Sequence, residues 1–278
     1  MKFTALIFIL SGGIAYAQVK FFIHILFNII EHILYQNYRI IQGWPAVAGQ
    51  FPHQVHLRMV TPTGSLNACG GSLITSQWVL TAAHCLVAKT QVFVRLGTLD
   101  VTFPVQKQTI LTFFFLNPLF YGYFYYIINI KYISFSATIK PIRLPGLDAI
   151  NITFAGEDAT VSGWGRTGNT LPVSETLNYV NVTIITNAIC MYDYSSMYIV
   201  DSTLCTVGIQ NTAQGTCNGD SGGPLIHYGS DGEPTLIGVV SFVSSRGCDS
   251  GYAAGYVRPQ FFLDWINEIS FFIYLPWL

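Results

Sequence analysis

Charge is what this sequence has least of. Only 10% of its 278 residues are Asp, Glu, Lys or Arg, against about 25% in ordinary globular chains, and the formal net charge is −1. That balance leaves no electrostatic footprint for nucleic acid or an anionic membrane surface. Acidic residues are missing altogether between Asp100 and Asp148. No CxxC or HExxH spacing occurs, so the common zinc patterns are absent and neither metal nor other cofactor is expected. Helical periodicity is absent until segment 260–270, where Phe262, Trp265, Ile266 and Ile269 recur at helix spacing.

What is present begins with a leader. Lys2 gives a positive start, Phe3 to Leu10 an apolar stretch, and Ala15-Tyr16-Ala17 a small-residue cleavage site. Residues 1–17 are therefore expected to be a signal peptide and the protein to be secreted. In an oxidising compartment its six cysteines would be paired. Spacing alone does not give their connectivity. Asn151-Ile152-Thr153 and Asn181-Val182-Thr183 are glycan acceptor sequons.

Apolar residues make up 51% of the chain and gather in runs. The first lies within 18–39. It is shorter than a membrane span, and Asn28, Glu31 and His32 would sit badly in lipid. A propeptide is expected there. The second occupies 113–132, and 108–130 carries no charge. Its length would admit a membrane span. Asn117-Pro118 and Tyr121-Gly122 would admit diverged hairpins. A third reading is translated intron. Both runs are rich in Phe, Ile, Tyr, Asn and Lys, the residues of AT-rich codons, and codons at the borders of 19–36 can carry splice signals. The third reading is favoured. Residues 271–278 form a further apolar tail.

Between the runs the pattern is short, β-branched and aromatic, with Gly and Pro punctuation, as in Gly70-Gly71-Ser72-Leu73-Ile74 and Gln77-Trp78-Val79-Leu80-Thr81. His53 and His56 fall within strand alternation and are expected to be surface or packing residues rather than ligands. The class expected is all-β.

Chemistry concentrates in Gly215-Thr216-Cys217-Asn218-Gly219-Asp220-Ser221-Gly222-Gly223-Pro224. Glycines around a serine allow a tight turn and close approach of a substrate chain. The amides of Gly219 and Ser221 can converge where an oxyanion would develop. A serine hydroxyl needs a base to become a nucleophile. Thr81-Ala82-Ala83-His84-Cys85 offers one, a histidine beside a half-cystine.

These two stretches, histidine before serine, resemble the trypsin/chymotrypsin-like serine protease family, and the likeness runs from about Arg39 to Ser270. It implies two packed antiparallel six-stranded barrels with a C-terminal helix, about 40–145 and 146–270, within a protease domain of 40–270. It implies His84 and Ser221 as catalytic residues and Gly219 with Ser221 as the oxyanion hole. Arg39-Ile40-Ile41-Gln42-Gly43 resembles the family's activation site. Cleavage after Arg39 would free the amino group of Ile40 to pair with Asp220. The resemblance also implies disulfides Cys69–Cys85, Cys190–Cys205 and Cys217–Cys248. It places the specificity pocket at Gly215, Val243 and Ala254, which points to small or medium apolar side chains before the cut. Asp249 would keep a basic preference open.

The family's third triad member, an aspartate between the histidine and the inter-barrel crossing Ile139-Lys140-Pro141-Ile142-Arg143-Leu144-Pro145, has no counterpart. Asp100 falls too early, and Asn129 is the candidate remnant. Two functions follow as expectations. One is a secreted, monomeric serine endopeptidase zymogen, with protein or peptide substrates, an activating protease and protein inhibitors as partners. The other is an impaired relative acting as a binding or decoy module.

Overall fold

The structure is a computed structural model, and it describes residues 40–103, 106–110, 114–116 and 125–270. The expected signal peptide, the propeptide with Arg39, and the tail 271–278 lie outside the described residues, as do 117–124.

Strands β1 (Trp44–Pro45), β2 (Gln54–Val60), β3 (Leu66–Leu73), β4 (Trp78–Ala82), β5 (Gln91–Leu96), β6 (Gln106–Ile110), β7 (Phe114–Leu116) and β8 (Tyr125–Asn129) fill the first half. Seven of them form an antiparallel sheet in the order β6-β5-β2-β3-β4-β8-β7. The second half contains β9 (Asp158–Gly163), β10 (Asn178–Ile185), β11 (Thr203–Gly208), β12 (Pro224–Tyr228), β13 (Pro234–Phe242) and β14 (Ala254–Val257). Here β9 pairs with both β12 and β10, which closes a six-stranded barrel, and β1 adds to β10 from outside. The all-β expectation therefore holds, with a closed second barrel and a half-barrel as the first.

Alternation makes these strands. Along β5, Val92, Val94 and Leu96 turn inward while their neighbours stay partly exposed, and Val180, Val182 and Ile184 do the same on β10. The two inner faces build separate cores, one around Leu57, Leu80 and Ile127, the other around Val161, Val182 and Tyr256. β2 is buried on both faces because His56 meets Trp164 of the second half edge-on, with ring centroids 5.2 Å apart. The histidines at 53 and 56 are thus buried packing residues, and burial pulls both pKa values down to about 3.

The anomalous run is partly absorbed into the barrel. Tyr125–Asn129 pairs along the whole of β4, and β7 pairs with β8, so from residue 125 the hairpin reading describes the backbone. Ile127, Ile128, Ile130 and Ile133 are buried in the first core. No helix among the described residues is long and apolar enough to cross a membrane.

Segment 139–145 ties the halves together: Ile142 N–H donates to Leu73 O at 2.8 Å, and Leu236 N–H to Arg143 O at 2.9 Å. Two helices complete the fold. α1 (Asn187–Cys190) is capped by Thr186, whose hydroxyl accepts from Ile189 N–H. α2 (Leu263–Ser270) follows a 3₁₀ turn begun by Pro259 and buries Leu263, Trp265 and Ile266. Disulfides join Cys69 to Cys85, Cys190 to Cys205 and Cys217 to Cys248.

Candidate active site

β4 runs through the first core and ends in a single 3₁₀ turn, Ala83–Cys85. Ala83 and Cys85 point inward, so His84 between them points out. The Cys69–Cys85 disulfide fixes that turn to β3. Surrounding protein, and after it the ammonium of Lys89, lowers the His84 pKa below the usual value for histidine. The ring is therefore neutral near pH 7 and able to accept a proton.

Ser221 sits on a turn that only glycine can make. Gly219 and Gly222 have φ of +104° and +80°. A Cβ on Gly222 would lie 2.1 Å from Thr81 Oγ1 and 2.6 Å from Gly70 O. Gly222 N–H donates to Val240 O at 2.8 Å, and Gly70 N–H to Ser221 O at 2.7 Å. The turn is thus held from both barrels. Among the described residues, the amides of Gly219 and Ser221 donate to no protein acceptor. His84, Ser221 and Gly219 line one cleft of about 350 Å³, together with Cys69–Cys85, Phe242 and Val243.

Asp220 is fully buried, and its two oxygens accept from Gly165 N–H at 2.7 Å and Cys217 N–H at 2.9 Å. Gly163 and Gly165 make room, since a Cβ on either would lie within 2.3 Å of the carboxylate. Burial outweighs the two amides and pushes its pKa up to about 7. No cationic side chain among the described residues pairs with it. Ile40 is buried in the second core. Ile41 N–H donates to Gly215 O at 3.1 Å, so the segment after Arg39 reaches the floor of the adjoining pocket.

That pocket gathers Gly215, Val243 and Ala254 with Thr216, Gly247 and Tyr252, and leaves only about 10 Å³. Asp249 does not line it. Its carboxylate instead accepts from the Asn169 amide, whose oxygen holds Cys248 N–H at 2.8 Å.

Neither Asp100 nor Asn129 is hydrogen-bonded to His84. Asp100 is held by its own loop, accepting from Thr102 N–H at 2.7 Å. Asn129 pairs with Trp78, at the opposite end of β4 from His84, which corrects the remnant reading. The antiparallel register ends at Tyr125 opposite Ala82, and residues 117–124 precede it in the sequence. Those residues include no Asp or Glu. Gly70, Thr81, Lys89 and Asn169 were not legible as site residues. Gly70 gave a weak signal in its glycine pair, and the others gave none.

A serine and a histidine on the seam of two antiparallel β-barrels, beside two amides that donate to no acceptor among the described residues, are the arrangement expected of a chymotrypsin-type protease. Comparison with known proteins agrees, since the trypsin family profile matches residues 40–266. The chain belongs to the trypsin family of serine proteases. It is 37% identical to a collagenase of Hypoderma lineatum over 83% of this chain and 86% of that protein. It is 35% identical to brachyurin of Leptuca pugilator over 82% and 97%. A solved structure, HL collagenase, superposes with a TM-score of 0.75 at 35% identity, over 84% of this chain and all of the other.

Proposed function

We propose that the protein is a secreted serine endopeptidase made as a zymogen. Ser221 Oγ attacks the scissile carbonyl while His84 takes its proton. The amides of Gly219 and Ser221 hold the oxyanion, and His84 returns the proton to the departing amine. The observation that carries this reading is the shared cleft of His84 and Ser221, with two amides that donate to no acceptor among the described residues. Cleavage after Arg39 frees the Ile40 ammonium, which gives the buried Asp220 carboxylate a cationic partner and orders the serine turn. The small pocket narrowed by Val243 fits small apolar side chains before the cut. Residues 1–17 serve as the signal and 18–39 as the propeptide. The mature domain works as a monomer, under an activating protease and protein inhibitors. Residues 19–36 and the run 113–132 are translated intron; transcript reads crossing intact codons 113–132 would refute that.

The decoy alternative is favoured by one observation. Among the described residues no carboxylate meets the His84 imidazole. A fluorophosphonate probe separates the two. Chain cleaved after Arg39 should acquire one adduct on Ser221, lost in Ser221→Ala and slowed strongly in His84→Ala. A folded, cleaved chain that takes no adduct is the decoy.

A further inference from the structure

The cleft is asymmetric in charge. Among the described residues, Lys89 is the only formally charged side chain that lines it, and no carboxylate lines either the cleft or the adjoining pocket. Lys89 follows the His84 turn closely and is fixed to it, its N–H donating to Leu86 O at 3.3 Å. The side chain is half-buried, and its Nζ donates to Asn67 Oδ1 at 3.1 Å. An ammonium only donates, so Asn67 must present its oxygen to the lysine and its NH₂ elsewhere. Asn67, Ala68, Cys69–Cys85 and Lys89 make one wall of the cleft, and Ser241, Phe242 and Val243 belong to the other.

This inference rests on the acyl-transfer reading given above. On that reading the side chain before the cut enters the pocket floored by Gly215. The departing amine must collect its proton from His84, and so leaves along the wall that follows His84. We propose that this wall selects substrates with a carboxylate side chain in the first two residues after the cut. Lys89 is the ion-pair partner and the Asn67 NH₂ a second donor. The same ammonium helps keep His84 neutral. A substrate carboxylate that neutralises Lys89 therefore also makes the imidazole a better base.

The test uses chain cleaved after Arg39 and three fluorogenic peptides identical except for Asp, Asn or Lys at the second residue after the cut. The Asp peptide should exceed the Asn peptide by about fivefold in kcat/KM at low salt, the scale of a partly exposed ion pair. The Lys peptide should be poorest. The order should flatten in about 1 M salt, where the Debye length is about 3 Å. It should vanish in Lys89→Met and invert in Lys89→Glu. Binding of the same peptides to Ser221→Ala needs no turnover and should give the same order. Cleavage of the three peptides at equal rates, equal binding to Ser221→Ala, or an acidic preference that survives Lys89→Met would overturn the proposal and leave the protease reading intact. Failure to cleave any peptide counts against the protease reading, and the Ser221→Ala binding order then decides the Lys89 proposal.

Discussion

The amide of Gly70 donates to the carbonyl oxygen of Ser221 at 2.7 Å. Gly70 belongs to β3 of the first barrel, and Ser221 to the turn entering β12 of the second. The bond joins the serine to the strand that Cys69 ties to the histidine turn. Nucleophile and base are therefore registered by a few short links, and changes at those links should disturb both.

Gly222→Ala tests the tightest link. Its Cβ would meet Thr81 Oγ1, Gly70 O and, at 2.9 Å, Ala82 N, at a φ of +80° that alanine disfavours. Backbone atoms cannot yield as a side chain would. We expect a loss of about 2–3 kcal/mol or more in urea unfolding, together with loss of probe labelling at Ser221. A wild-type midpoint would refute the packing described.

Register decides where a missing carboxylate could be restored. Phe124 immediately precedes β8, whose first pair is Tyr125 with Ala82, whereas Asn129 pairs with Trp78. Phe124→Asp should raise kcat on an apolar peptide by about 10³–10⁴-fold, the scale seen when the orienting aspartate of related enzymes is made Asn. Asn129→Asp should leave kcat unchanged. A gain from Asn129→Asp alone would mean that β8 is shifted along β4.

Val243 restricts a pocket of about 10 Å³. Val243→Gly should raise kcat/KM for Phe or Tyr before the cut by about tenfold or more relative to Ala, as expected for opening an apolar slot. A peptide library measured on both forms gives the ratio. Dominant cleavage after Arg in the unsubstituted protein would be incompatible with Asp249 held outside the lining by Asn169.

The uncleaved chain should show opposed pH effects. Asp220 binds its proton more tightly folded than unfolded, its pKa standing near 7 instead of 3.8. Its contribution to stability is therefore full below about pH 4 and is lost as pH rises through about 7. His53 and His56, lowered from 6.5 to about 3, act the other way. Their contribution is full above about pH 6.5 and is lost as pH falls toward 3. Urea unfolding across this range should show Asp220→Asn abolishing the loss toward neutral pH. His53→Gln and His56→Gln should each flatten the acid limb. A pH slope unchanged by Asp220→Asn would mean that the carboxylate has a partner in the uncleaved chain.

The sequence by itself determined the chemistry: the serine turn from residue 215, the histidine beside Cys85, the even cysteine count, and an all-β chain ending in a helix. The serine turn, the histidine motif and the terminal helix are each written in a dozen or so contiguous residues, because turn geometry and side-chain periodicity are local. Tertiary structure alone decided the rest. It put Asn129 at the far end of β4, drew Ile127 and Ile128 into the core, removed Asp249 from the pocket, buried His56 against Trp164, and set Gly70 under Ser221. Those outcomes join residues far apart in the chain, such as Trp78 and Asn129, 51 apart, and Gly70 and Ser221, 151 apart. They depend on strand register, where a slip of one residue reverses every side chain, and on packing between two barrels that no single stretch encodes.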